Sequence, residues 1–481
     1  MQRSSRLVVC ACALVLLAAG PASAAGRKRI SSDQYTNPDS QHATQVEPDT
    51  FAFGSTVVSA FQTGRFFDGG ASNIGFATSQ DRGKTWVHGF LPSTTVNSTP
   101  AGPYDRVSDP TVAYDAKHGA WLITSLGLEG GTGVAVLVSR STDGGLSWGD
   151  PVTVSTTTGF YDKTWIACDN TKTSPHYGNC YATWDEVFAG DLLLTSTSSD
   201  GGKTWGAKKA TQDSATGLGG QPLAQPSGDV VVPALSAFAD QILAYKSGNG
   251  GTSWGASTLV ANISEHGVAG NLRTLPLPSA EVDAAGKVYV VWQDCRFRAG
   301  CASNDIVMST STNGTTWTSP VRIPIDPTSS TVDHFIPGIA VDRKSAGSTA
   351  RLALTYYFYP NANCTESTCQ LSVGFVSSVD GGATWSAPQT LAGPMAVTDL
   401  ANTSQGFMVG DYISTSFAGA KAVPVFALAK ARSGTVFNEA MYATKLPVTA
   451  QQLYPLRVVV DEPVLSPQGD RVRPSRRLVI P

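Results

Sequence analysis

Ser79-Gln80-Asp81-Arg82-Gly83-Lys84-Thr85-Trp86 is a phrase that the chain repeats, and its repetition decides the fold. The pattern returns at residues 141–148, 198–205, 247–254 and 378–385, with a shortened copy at 311–317. Asn249 and Asn313 replace the aspartate in two copies, the exchange expected of a side chain that accepts backbone N–H bonds inside its own turn. The glycine supplies the positive φ such a turn needs. The Ser or Thr adds a local hydrogen bond, and the tryptophan plugs the turn against the neighbouring sheet. Each copy therefore reads as a clamp on a β-hairpin.

The clamp tryptophans fall at 86, 148, 205, 254, 317 and 385, at intervals of 62, 57, 49, 63 and 68 residues. A period of roughly 50 residues holding four short strands fits a propeller blade rather than a solenoid coil. Reading backwards from a clamp recovers the strands: Ala280-Glu281-Val282-Asp283, then 287–292, then 305–310, with 317–323 outermost. The clamp joins the third and fourth strands each time. The phrase is known as an Asp box, and over residues 45–446 the chain resembles the sialidase and BNR-repeat superfamily of β-propellers.

After the last clamp three more strands follow, at 408–414, 423–428 and 439–444, without a fourth. Arg27-Lys28-Arg29-Ile30, ahead of the first unit, resembles the outer-strand segment Pro320-Val321-Arg322-Ile323. We expect the N-terminal stretch to supply the missing outer strand. The fold expected is thus all-β, a seven-bladed propeller of four-stranded antiparallel blades closed by the N-terminal strand, which leaves no open inner edge. Six blades, the number in the catalytic sialidases it resembles, is the alternative.

Arg3 and Arg6, an apolar run over 7–19 and Ala22-Ser23-Ala24 read as a signal peptide at residues 1–24. The propeller occupies 25–447, and 448–481 form an arginine- and proline-containing C-terminal tail. Beyond the leader, six cysteines form three sequence-local pairs, Cys168 with Cys180, Cys295 with Cys301 and Cys364 with Cys369; an exported chain favours disulfides between nearest neighbours. No zinc spacing accompanies them. With 15% charged residues and a net charge of −3, neither nucleic acid nor membrane insertion is indicated. We expect a secreted monomer whose partner is carbohydrate.

In a propeller, the loop entering each inner strand and the loop between strands two and three open on one face, opposite the clamps, so chemistry is sought there. The inner-strand entrances carry Glu47 and Asp49, Arg106 and Asp109, Asp162 and Lys163, Arg273, Asp333 and His334, and Asp411 and Tyr412. Arg65 and Arg296 follow second strands, and Trp184 and Trp292 offer flat faces for a sugar ring. Asp109, Asp162, Asp333, Asp411 and Tyr412 are the catalytic candidates; Arg65, Arg106, Arg273, Arg296, His334, Trp184 and Trp292 are the substrate-binding ones. The resemblance to sialidases implies three arginines on a substrate carboxylate and a tyrosine nucleophile, outside the usual two-carboxylate scheme. The Phe-Arg-Ile-Pro motif that carries the first of those arginines is absent, and Arg322-Ile323-Pro324 matches it only on an outer strand after a clamp. The function expected is a glycosidase acting at the channel face on extracellular, anionic glycans. The alternative is a non-catalytic glycan-binding or adhesion propeller. No cofactor or catalytic metal is expected; a structural calcium in the channel would make the melting point fall with chelator.

Overall fold

A computed structural model describes residues 26–450, so the leader at 1–24 and all but the first three residues of the tail lie outside it. Its strands pair into antiparallel sheets of four, following one another along the chain. The first unit is Gln41–Phe53, Thr56–Arg65, Ala71–Ser79 and Val87–Phe90, and the second is Arg106–Asp115, Ala120–Glu129, Thr132–Ser141 and Val152–Thr156. The third runs Tyr161–Cys168, Cys180–Glu186, Leu192–Ser198 and Lys209–Ala210. In the fourth, the short strands Gly217–Leu218 and Leu223–Ala224 precede Val230–Ser236, Gln241–Ser247 and Thr258–Asn262. The fifth is Ser279–Val282, Val288–Asp294, Asp305–Ser311 and Val321–Arg322, and the sixth is Asp333–Val341, Leu352–Tyr359, Gln370–Ser378 and Gln389–Ala396. The last comprises Ser414–Ala418, Lys421–Ala429, Glu439–Ala443 and, from the other chain end, Lys28–Arg29.

That final pairing places Lys28 opposite Ala443 and Arg29 opposite Tyr442, and the Ile30 N–H donates to the Met441 carbonyl at 2.9 Å. One boundary differs from expectation. Residues 408–414 are not a single strand: Gly406–Met408 pairs with Ala401–Thr403, and the inner strand starts only at Ser414. Among the described residues there is no α-helix and no helix long and apolar enough to cross a membrane.

Alternation along each strand sends apolar side chains between neighbouring sheets. Phe76 of the first unit shares a core with Trp121 of the second, Leu126 of the second with Trp184 of the third, and Tyr181 of the third with Val232 of the fourth. Leu235 continues to Val290, Tyr289 to Leu354 and Phe375 to Phe426. Val57 of the first unit then packs with Ala418 and Val423 of the last.

The clamps bond as their composition predicts. At 198–205, Ser198 Oγ accepts from the Gly202 N–H (3.0 Å) and donates to Asp200 (2.8 Å), whose carboxylate accepts from Lys203 N–H, Thr204 N–H and the Thr204 hydroxyl. Asn249 Oδ1 accepts from the Ser253 N–H, the aspartate's role with an amide. Trp148 lies 5.8 Å from Phe76 in the neighbouring sheet. Because Ser198 is buried, Ser198→Ala strands the Gly202 N–H, and urea denaturation should show a loss of about 1–3 kcal/mol.

The six cysteines form the three nearest-neighbour disulfides. Cys168–Cys180 ties the first two strands of the third unit on the clamp face. The other two stiffen loops between second and third strands on the opposite face.

Candidate functional site

The inner strands of the first three units all break register at the same place. Pairing skips between Val46 and Asp49, between Ser108 and Thr111, and between Asp162 and Trp165. At each skip one residue takes a positive φ: Glu47 at 56°, Asp109 at 49° and Lys163 at 48°. Holding a non-glycine residue there costs about 1–3 kcal/mol, and such bulges re-aim side chains. Here they aim three charges at one point. The sixth unit makes the same bulge at Ile336 (φ 48°), and there the side chain is apolar.

The last unit contributes Asp411 from the irregular stretch before Ser414. Gly410 (φ 137°) is required at this approach, since a Cβ would stand 2.7 Å from the Glu47 backbone. Lys163 Nζ, almost wholly buried, bonds Asp411 Oδ2 and lies 3.5 Å from Asp109 Oδ1 and 3.9 Å from Glu47 Oε1. Arg273 grips Asp411 in a fork, Nε to Oδ1 at 2.8 Å and Nη2 to Oδ2 at 2.5 Å. Gln62 donates to Glu47 and to Ser108 Oγ and accepts from Arg65 Nη1, which also reaches the Gly70 carbonyl.

Above this network opens a recess of about 90 Å³ lined by Glu47, Arg65, Asp109, Asp162, Lys163 and Arg273, with walls from residues 68–70, Gly131, Phe160 and Gln405. Arg106 stands behind one wall, held by Asp68 at 2.6 Å and lying over the Phe66 ring.

Burial would raise the Asp411 carboxyl, but Arg273 and Lys163 hold it far below the usual carboxylate range, so it is a fixed anion. Burial and the Asp109 charge push Glu47 up to about 8. Asp162 is the half-buried carboxyl of the recess; burial, offset by Lys163 and reinforced by Asp109, raises it to about 6. Asp185, opposite it across the strand pair, is raised by burial and by Asp162. Burial opposes the Lys163 ammonium, yet its carboxylate neighbours keep it protonated well above the ordinary range. Burial and the nearby Arg273 lower Arg65, whose Nε has no hydrogen-bond partner among the described residues. Two guanidiniums that repel across a recess make a seat for an anion.

Of the expected site residues, Asp109, Asp162, Arg65 and Arg273 line this recess, Arg106 backs it, and Asp411 lies beneath it as an anchor. The others need correction. Tyr412 is buried, its hydroxyl donates to the Pro110 carbonyl at 3.1 Å, and burial and Glu47 raise its pKa, the reverse of what a nucleophile needs. Asp333 and His334 belong to the sixth unit, where Asp333 accepts from the Asn304 N–H and its charged neighbours are Glu265 and Arg298. Arg296 forks Asp294 in the fifth unit. Trp184 and Trp292 are core residues, 1% and 0% exposed, with no face free for a sugar. Glu47 and Lys163, named at strand entrances without a role, are central, and Gln62 and Ser108 join them. The available signal was an alignment of Glu47-Pro48, Asp109-Pro110 and Ile336-Pro337, which marks the shared bulge.

Asp305, Asp326 and His334 bring ligand atoms within 4.8 Å of one another. Arg298 and Arg322 already hold both carboxylates at 2.6–2.8 Å, so the group is an ion-pair lattice rather than a cation cage.

Residues 123–338 match the BNR repeat-like domain. That segment, 216 of the 481 residues, is a BNR repeat-like domain. The match runs from the second unit to the start of the sixth, and the clamps at 79–86 and 378–385 extend the repeat on either side. Among solved structures, the chain is similar to a polysaccharide lyase, the PL25 ulvan lyase, at TM-score 0.50 and 10% identity, over 88% of this chain and 96% of that one. It is also similar to the intramolecular trans-sialidase from Ruminococcus gnavus (TM-score 0.43, 14% identity, 87% and 97% covered). The NanB sialidase from Streptococcus pneumoniae gives 0.44 and 14%, with 87% of this chain and 70% of that chain covered. At these identities the likeness is one of fold. The comparison with curated proteins gives no match.

Proposed function

We propose that this protein is an exported glycoside hydrolase of the sialidase and BNR-repeat superfamily that acts on an anionic glycan in the Lys163 recess of a seven-bladed propeller. Seven four-stranded units, each sharing a core with the next and the last with the first, support a closed ring. Three disulfides support an extracellular setting. The sialidases and the polysaccharide lyase of similar fold act on sugars, which supports the substrate class.

The observation that carries the chemistry is the pairing of Asp162, with its pKa of about 6, and Asp109 in one recess beside Arg65 and Arg273. Two carboxyl groups in unlike environments supply a proton donor and a carboxylate, the division of labour glycoside hydrolysis requires. The guanidiniums hold the sugar's anionic group. Among the described residues no histidine lines the recess, and its one tyrosine, Tyr161, spends its hydroxyl on Ser155, the Thr156 carbonyl and Lys208. Hydrolysis is therefore favoured over an elimination that needs a free base of that kind.

A screen of fluorogenic glycosides that includes sialic and uronic acids tests the proposal. Turnover of at least one anionic glycoside, ahead of its neutral counterpart, is expected. Binding without turnover on every glycoside would leave the non-catalytic glycan-binding propeller as the answer.

A further inference from the structure

Five phenylalanines are exposed among the described residues, and four occupy one position in the repeat. Phe67, Phe188, Phe238 and Phe297 each sit in the loop between the second and third strands of their unit, on the face that carries the recess. Phe188 is 74% exposed and Phe238 88%, although a loop tip gains nothing in stability from an aromatic ring held in water. Two flank the recess itself. Phe67 adjoins Asp68 in one wall, while Phe160, in another, packs edge-on at 6.1 Å against Phe188. The corresponding loop of the second unit, Glu129-Gly130-Gly131, carries no aromatic ring, and Gly131 lines the recess there as a low sill.

Resting on the reading of the recess as a glycan site, we infer that Phe67 and the Phe160–Phe188 pair are sugar platforms on either side of it. The protein would then grip an anionic polysaccharide along its length and place an internal residue over Asp109 and Asp162. Each platform joins an apolar face to hydrogen-bonding neighbours: Asp68 and Gly69 beside Phe67, Gly190 and Asp191 beside Phe188. A sugar ring has that same division into C–H face and hydroxyl edge. One ring on one side and a pair on the other, with a recess of charged side chains between them, do not make the continuous apolar patch of a membrane or protein contact. Arg65 and Arg273, in the recess between the platforms, match the charge of an acidic chain.

The test uses Phe67→Ala, Phe188→Ala and the double variant in the full chain, with polygalacturonate, alginate and chondroitin sulfate as probes. Both positions are exposed, so the melting temperature should not move. In affinity electrophoresis the double variant should bind the retained polysaccharide at least about tenfold more weakly, each ring contributing a stacking contact. Small fluorogenic glycosides should be turned over as by the wild type. Retardation that depends on both rings in a protein without turnover upholds the platforms and sinks the hydrolase reading alone. Three outcomes would overturn the inference: no retardation on any of the three gels, equal retardation of wild type and double variant, or ring-dependent retention on phosphatidylcholine–phosphatidylglycerol vesicles, which would assign the rim to a membrane.

Discussion

Replacing Lys163 by Met should lower the stability of the fold by about 3–5 kcal/mol in urea denaturation at pH 7, because it strands buried carboxylates without their cation. The ammonium is almost wholly buried and serves Asp411, Asp109 and Glu47 together. Arg273 still holds Asp411 after the substitution, but nothing comparable reaches Asp109. The strain at Glu47, Asp109 and Lys163, each at positive φ, is then no longer offset by the ion pairs it creates. Two controls separate this from lost packing. The deficit should narrow as pH falls from 7 to 5, since protonating the stranded carboxyls removes the unpaired charge, and Asp109→Asn in the Lys163→Met background should recover part of it. A loss below about 1 kcal/mol would mean that water reaches the cluster and screens it.

How much of this was legible in the sequence depends on how local the cause is. The clamps are hydrogen-bonded within eight residues, so their aspartates and their asparagine substitutes could be read directly. The four-strand units followed from counting strands around the clamps, and the N-terminal outer strand from the missing fourth strand of the last unit and the likeness of residues 27–30 to 320–323. The site is a tertiary product and was half visible. Asp109 and Asp162 stood out as charges entering inner strands, whereas Lys163 was only the neighbour of Asp162 at a strand entrance, with no role of its own. Its role comes from a bulge that turns it inward, and a bulge is fixed by sheet pairing rather than by the residue itself.

The same bulge explains why Asp333 was misplaced. Counted from Ile336 it corresponds to Arg106, not Asp109, so the sixth unit offers an apolar side chain where the first three offer charge. Trp184 and Trp292 failed for a simpler reason. Alternation along the strand decides which face a ring takes, and both rings point between sheets, Trp184 into the core shared with Leu126 of the second unit and Trp292 into that shared with Leu235 of the fourth.

Asp162→Asn should cost between 10² and 10⁴ in kcat/KM on whichever glycoside the screen identifies, the range for removing a general acid, while the fold is retained. Asparagine keeps the shape and the Lys163 N–H contact but has no proton to give the departing oxygen. The pH profile makes the assignment specific. With a proton donor at about 6, wild-type kcat/KM should fall tenfold per pH unit above that value, because the form that works is the protonated one. Asp109 is among the charges that raise it, so the residual activity of Asp109→Asn should break at a lower pH than the wild type. A structural role for Asp162 would lower activity without moving that break. Were the break instead to sit near 8 and vanish only in Glu47→Gln, the proton would come from Glu47 in the recess lining, and Asp162 would be the carboxylate that receives the sugar.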